Sequence, residues 1–279
     1  MNILYSGDAN IADGVTISAL SLCHNARETL NIYILTANIS YGSTFRKALP
    51  SEFTSFLEEQ IRKYNPNHTV TLIDITEKFA KEKPVANMET RFTPCCMLRL
   101  YADLVSELPD KILYLDNDVI CRLDPAEFYN KDIDNYSLAG SLDYYGSWFF
   151  RNKPLVRDYL NSGVLLLNLH KIRENGLFAK CRLRCQNEEM FMPDQSAINK
   201  LCLDKKILPR RFNEQRKLKK NTVFQHFTTS FRFFPVFHAV SVKPWNIEGM
   251  HKRLRLYAYD EILSEYQYIK QYIREIIEK

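Results

Sequence analysis

Residues 99–120 read RLYADLVSELPDKILYLDNDVI, and the reading of this stretch decides the architecture. A helical pattern over 95–108 stops at the Pro109-Asp110 turn, an apolar strand follows in KILYLD (111–116), and Asp116-Asn117-Asp118 closes it. A strand this apolar is buried on both faces, as in parallel sheets covered by helices. Alternate residues of extended chain point the same way, so Asp116 and Asp118 can approach one cation. Their hard oxygens suit Mg²⁺ or Mn²⁺. A solvated polar turn after a strand is the plainer reading of the same three residues.

The pattern continues outward on both sides. Upstream, strands at 2–6, 31–36 and 69–75 alternate with helical stretches at 15–22 and after Pro50. Downstream, SLAGSLD (137–143) and GVLLLNL (163–169) read as strands, helices are expected at 169–187 and 194–203, and a further strand at 222–227. Such alternation predicts an α/β fold with a Rossmann-like, mixed but mostly parallel sheet and helices on both faces. Ligands bind such sheets at the carboxyl ends of the strands, so the loops after Ser6, Leu115 and Leu142 should share one rim. Residues 76–94 read as helix fragments and loop. The tail from His251 is basic, then aromatic with helical period, which divides the chain into a domain over 1–250 and a helical extension over 251–279.

Bulk composition narrows the class. The chain has 279 residues, 46% hydrophobic and 25% charged, an ordinary globular balance with ample material for a core. A net charge of +5 is compatible with a polyphosphate ligand or an anionic membrane surface. The seven cysteines include no Cys-x-x-Cys pair, so reduced thiols in a cytoplasmic protein are expected. MNILYSGD enters a strand without a basic-then-apolar leader, and no apolar run approaches the ~20 residues of a membrane span. Residues 205–220 hold eight basic side chains against Glu214 alone, read as a solvated face or as one turned to an anionic acceptor or membrane. Peripheral contact with the inner membrane face is a further expectation from the basic start of the tail. No nucleic-acid-binding module is recognisable.

Several short motifs in order then resemble the family 8 glycosyltransferases, retaining enzymes of the GT-A fold that include bacterial lipooligosaccharide galactosyltransferases and glycogenin. The resemblance spans roughly residues 1–245 and rests on YSGDAN (5–10), the 99–120 block, LNSGVLLLNL (160–169), PDQSAIN (193–199), PRRFN (209–213) and VKPW (242–245). It implies a UDP-sugar donor held with Mn²⁺ or Mg²⁺ and a carbohydrate or glycolipid acceptor. The product would be a hexose of the glucose or galactose class transferred in surface polysaccharide or lipopolysaccharide synthesis. Carried over, Ser6, Asp8 and Asn10 would surround the uridine, and Arg99 would approach the donor beside Asn117. Asn161 and Ser162 would face the donor sugar, Asp194 would bond its hydroxyls, and Gln195 would lie near the anomeric carbon. Lys243 would reach the diphosphate as a point charge. Beside Asp116 and Asp118, the third metal ligand would be His226 or His238. The family has Lys six residues after its histidine with a glycine nearby. Lys243 follows His238 by five and HAVSVK has no glycine, so His226, at the end of an apolar strand, is preferred.

Each motif has a bland counterpart. Asp8 suits an Asx-turn, Arg99 a surface ion pair, and Asp194 a helix N-cap after Pro193. Two other functions fit part of the pattern. ILYLDNDVI matches a haloacid dehalogenase-type phosphatase with Asp116 as nucleophile, although it lies far from the N-terminus and no later strand ends in an acidic pair. A non-catalytic nucleotide-sugar-binding module is the other.

Overall fold

The computed structural model describes residues 1–90, 93–144, 158–232 and 238–278, with the side chains of 230–232 and 238–240 left aside. Strand β1 (Asn2–Ser6) lies between β2 (Asn31–Thr36) and β6 (Lys111–Leu115), parallel to both. The main sheet has seven strands, completed by β5 (Thr69–Asp74), β8 (Leu138–Leu142), β9 (Leu160–Asn168) and β10 (Lys205–Leu208). Its order is β10-β8-β9-β6-β1-β2-β5, and β9 alone runs antiparallel to its neighbours. Successive residues of β1 serve opposite faces: Ile3 and Tyr5 belong to one buried cluster and Leu4 to another. That is the period of two expected of a strand covered on both sides.

The chain leaves β1 towards β2 through helix α1 (Ala12–Asn25) and only later returns to the other flank of β1 as β6. This reversal opens a crevice at the carboxyl ends of β1 and β6. Because β9 is antiparallel, its first residues, Asn161 to Gly163, arrive at the same rim. Asp116 donates its N–H to Gly163 O at 2.8 Å.

Three local expectations change. The 95–108 helix is instead a run of 3₁₀ turns, Pro94–Leu104. Arg99 Nε donates to Cys96 O at 3.0 Å and Arg182 Nη1 to Leu100 O, so guanidiniums draw off carbonyls that an α-helix would use. The single helix expected over 169–187 is two, Leu169–Asn175 and Leu177–Asn187, separated by Gly176 at φ +66°. A left-handed residue ends a helix, and glycine takes that conformation without a Cβ penalty. The strand expected at 222–227 shortens to β11 (Phe224–His226), which pairs antiparallel with β7 (Val119–Cys121) outside the main sheet. The C-terminal helix Asp260–Glu278 buries Leu263, Tyr266 and Ile273 in the same cluster as α1. Among the described residues no helix is long and apolar enough to cross a membrane.

Candidate active site

The β7–β11 pairing assembles the centre of the crevice. In its register His226 stands opposite Val119, immediately after the Asp116–Asp118 turn, and Phe227 N–H bonds Asp118 O at 3.0 Å. His226 Nε2 consequently lies 3.1 Å from Asp118 Oδ1 and 3.6 Å from Asp116 Oδ2. One ligand atom from each of the three residues falls within 4.8 Å of the others. Their side chains are 24%, 9% and 5% exposed for Asp116, Asp118 and His226, so charge here needs partners rather than water.

Those partners are shared out in a regular way. Asp116 Oδ1 accepts from Arg99 Nη2 and from the Tyr114 hydroxyl, both at 2.8 Å. Asp118 Oδ2 pairs with Lys243 Nζ, which also donates to Phe227 O at 2.9 Å. Each carboxylate thus has one oxygen held by a cation and the other turned towards His226 Nε2. Burial alone would raise the Asp118 carboxyl, but Lys243 and His226 outweigh it and hold it well below the usual carboxylate range. Burial likewise opposes the Arg99 charge, and Asp116, Tyr114 and Asp194 more than restore it, with the guanidinium 4.3 Å from the Tyr114 ring centre.

Two oxygens and an imidazole nitrogen, all within 4.8 Å of one another, bound a small space and form a donor set suited to Mn²⁺ or Mg²⁺. The space is exact in one direction. A Cβ built on Gly163 would stand 2.1 Å from His226 Cε1 and 2.6 Å from Asp116 Oδ2, so no larger residue fits beneath the triad. Gly14 plays a similar part behind the turn, where a Cβ would meet Asn117 O at 2.3 Å and Trp245 Cζ3 at 2.8 Å. Asn117 and the Trp245 ring therefore both pack against the start of α1 at Gly14.

The remaining residues singled out in the sequence occupy the same rim. Ser6 Oγ is 3.2 Å from the Tyr114 hydroxyl. Asp8 accepts from the backbone and side-chain nitrogens of Asn10 at 3.0 and 2.9 Å, an Asx-turn, and lies 3.8 Å from Arg46. Asp194 Oδ2 lies 3.2 Å from both Arg99 Nε and Ser162 Oγ, and Gln195 Oε1 accepts from Ser162 N–H at 3.0 Å. Asn161 points beneath the triad: its Oδ1 is 3.1 Å from His226 Nδ1 and its Nδ2 donates to Asp143 Oδ2 at 2.8 Å. His238 is in β13 (His238–Val240), paired through its backbone with Arg232; its side chain is outside the described set. Residues 145–157, which follow the end of β8, also lie outside the described residues.

Sequence reading overlooks Tyr114, Asp143 and Asn213 as members of this network. Tyr114 had a signal, since it precedes Asp116 by two in one strand and shares its face. Asp143 had a weaker one, as an acid just past a strand end. Asn213, which donates to Asn161 Oδ1 at 2.9 Å, had only its place in the PRRFN motif, and its partner there is set by tertiary folding.

An acidic pair and a histidine at the switch point of a mixed α/β sheet, with basic groups on the outer oxygens, define a candidate metal site. The profile of glycosyl transferase family 8 matches residues 2–249, and the chain belongs to that family. It is 26% identical over 224 residues to a glycosyltransferase of Haemophilus influenzae, covering 76% of this chain and 63% of that protein. It is 25% identical over 273 residues to the lipopolysaccharide 1,2-glucosyltransferase of Escherichia coli K12, covering 92% of this chain and 76% of that one. Among solved structures, the galactosyltransferase LgtC in complex with donor and acceptor sugar analogs superposes with a TM-score of 0.69 at 19% identity, covering 96% of this chain and 95% of that chain. That likeness establishes the GT-A fold.

Proposed function

We propose that the protein is a metal-dependent, retaining hexosyltransferase that moves glucose or galactose from a UDP-sugar to a carbohydrate acceptor, in surface polysaccharide or lipopolysaccharide synthesis. The observation that carries this reading is the division of oxygens at Asp116 and Asp118. One oxygen of each is tethered by Arg99 or Lys243, and the other shares a point with His226 Nε2. A purely structural ion-pair cluster has no need to leave one oxygen of each carboxylate converging with an imidazole nitrogen on one point.

Asp116, Asp118 and His226 would hold the Mn²⁺ or Mg²⁺, which when bound neutralises charge on the departing UDP. Lys243, a third exposed, supplies a further positive charge at the diphosphate. Asp8 and Asn10 would receive the uridine and Ser6 the ribose side, with Arg99 and Asn117 closing the floor. Asp194 and Ser162 would orient donor hydroxyls, and Gln195 would lie beneath the anomeric carbon. Asp194 is engaged by Arg99 and Ser162, each at 3.2 Å, which favours a route without a covalent enzyme intermediate. The acceptor hydroxyl oxygen would therefore bond to the anomeric carbon on the face that UDP leaves, as the carbon–oxygen bond to phosphate breaks. Its proton would pass to the leaving phosphate oxygen. The family match does not favour a phosphatase.

The test is UDP release from UDP-glucose and UDP-galactose with Mn²⁺ and a saccharide acceptor, with product anomers read by NMR. Mn²⁺-dependent UDP release with an α-linked product is expected. Hydrolysis of p-nitrophenyl phosphate without UDP release would replace this reading by the phosphatase.

A further inference from the structure

Directly beyond Asp143, at the carboxyl end of β8, two arginines flank one tyrosine. The Arg210 and Arg216 guanidiniums each lie 4.5 Å from the centre of the Tyr144 ring, and Arg216 Nη1 donates to the Tyr144 hydroxyl at 2.6 Å. The segment that carries them is fixed to the strand end. Gln215, buried, accepts Tyr144 N–H at 2.9 Å and donates to Leu142 O at 3.3 Å, while Ser141 Oγ donates to Pro209 O at 2.9 Å. Two other basic groups of this segment have acidic partners: Arg211 pairs with Glu127 and Lys219 with Glu214. Among the described residues no ion pair joins Arg210 or Arg216 to a carboxylate. Residues 145–157, which follow Tyr144, contain Arg151, Lys153 and Arg157 but no Asp or Glu. Among the described residues, two like charges thus stand beside one ring with no ion pair to a carboxylate.

The position is next to the chemistry. Asp143 Oδ2 accepts from Asn161 Nδ2, whose Oδ1 meets His226, so the arginine pair stands on the same rim as the acidic centre. Planar guanidinium forks match phosphate oxygens bidentately, and stacking on an aromatic ring holds them in place. Two such forks suit a group carrying about −1.5 to −2 charge at neutral pH, which a phosphate monoester has and a carboxylate does not. We infer that Arg210, Arg216 and Tyr144 form an acceptor subsite for a phosphomonoester, and hence that the acceptor is a phosphorylated saccharide. This rests on the transferase reading above for the word acceptor, though not for the binding itself.

The experiment titrates the full chain with glucose 6-phosphate, glucose and glucuronate, following arginine Nε–H signals by NMR. It is run once in EDTA and once with saturating UDP and Mn²⁺, so that the donor diphosphate site is either disarmed or filled. Saturable binding of glucose 6-phosphate in both conditions, none of glucose, and at least roughly tenfold weakening in R210Q/R216Q are expected. R210K/R216K keeps the charge and loses the forks, and should weaken binding as well. UDP affinity of both variants should equal that of the wild type, which certifies their folding. Equal response to glucose, equal response to glucuronate, or undiminished binding in R210Q/R216Q overturns the subsite. So does a loss, in R210Q/R216Q, of sedimentation with phosphatidylglycerol vesicles when glucose 6-phosphate does not bind the wild type. If UDP with Mn²⁺ fails to bind the wild type while the sugar phosphate binds, the transferase reading falls and the anion site stands.

Discussion

Nδ1 of His226 lies 3.1 Å from Oδ1 of Asn161, beneath the acidic pair. The same Asn161 oxygen accepts Gly163 N–H at 3.0 Å, and the amide nitrogen donates to the Asp143 carboxylate, so the orientation of the amide is determined by its neighbours. An oxygen opposite Nδ1 places a proton on Nδ1, so Nε2 is the ring nitrogen left to bind a cation held by Asp116 and Asp118. Partners of this kind behind a metal-binding histidine fix its tautomer and ring angle, and their loss lowers metal affinity by about 10- to 100-fold. Asn161→Ala should raise the Mn²⁺ dissociation constant in the presence of UDP by that factor, as read by calorimetry. An unchanged Mn²⁺ affinity in a folded variant would remove Asn161 from this role.

Gly163→Ala tests the space under the triad. The added methyl meets His226 Cε1 and Asp116 Oδ2 far inside contact distance, and both are held by other bonds. Overpacking of a tight site costs about 1–3 kcal/mol. The variant should melt several degrees lower and lose Mn²⁺-dependent UDP binding. Retention of wild-type UDP affinity would mean that the triad is not the nucleotide-metal centre.

How much of this was open to sequence reading follows from what each residue depends on. Asp116 and Asp118 were legible because one apolar strand and its terminal turn carry them, and the alternation of β-structure is local. The parallel sheet was legible for the same reason. The β7–β11 pair was not, since three-residue strands have no period to detect and their pairing joins positions 103 apart, as Cys121 meets Phe224. Asn161 was read as facing the donor sugar from motif likeness, whereas its contacts with Asp143, Asn213 and His226 arise only when four loops meet.

Acid stability offers a check on Asp118. Its carboxyl is depressed in the folded protein by Lys243 and His226, against the opposing effect of burial. A depressed folded value contributes stability that is complete above the unfolded carboxylate pKa of about 3.9 and is lost as pH falls below it. The stability gap between wild type and Asp118→Asn in metal-free urea unfolding should therefore be widest near neutrality and shrink below about pH 4. A gap that stays constant from pH 7 to pH 3 would contradict the pairing.

The cysteines give a simpler prediction. All seven are free thiols, and burial pushes Cys95, Cys185 and Cys202 up to about 12. The thiolate is the reactive form, so at pH 8 roughly one in 10⁴ of these groups is available. Native protein should resist iodoacetamide at these positions over minutes, and urea-unfolded protein should be labelled at all seven. Rapid native labelling of Cys95, Cys185 or Cys202, mapped by mass spectrometry, would show that their cover is incomplete.

The central claim is that Asp116, Asp118 and His226 make a metal centre for a UDP-sugar. The most direct measurement is the thermal shift produced by UDP, with and without Mn²⁺, in wild type and Asp118→Asn. At about 100 times its dissociation constant a ligand stabilises by about 2.7 kcal/mol, a rise of several degrees for a domain of this size. The prediction is a rise in the wild type with Mn²⁺ present, little without it, and little in Asp118→Asn under either condition. A UDP shift of equal size in all four cases, or none in any, would contradict it.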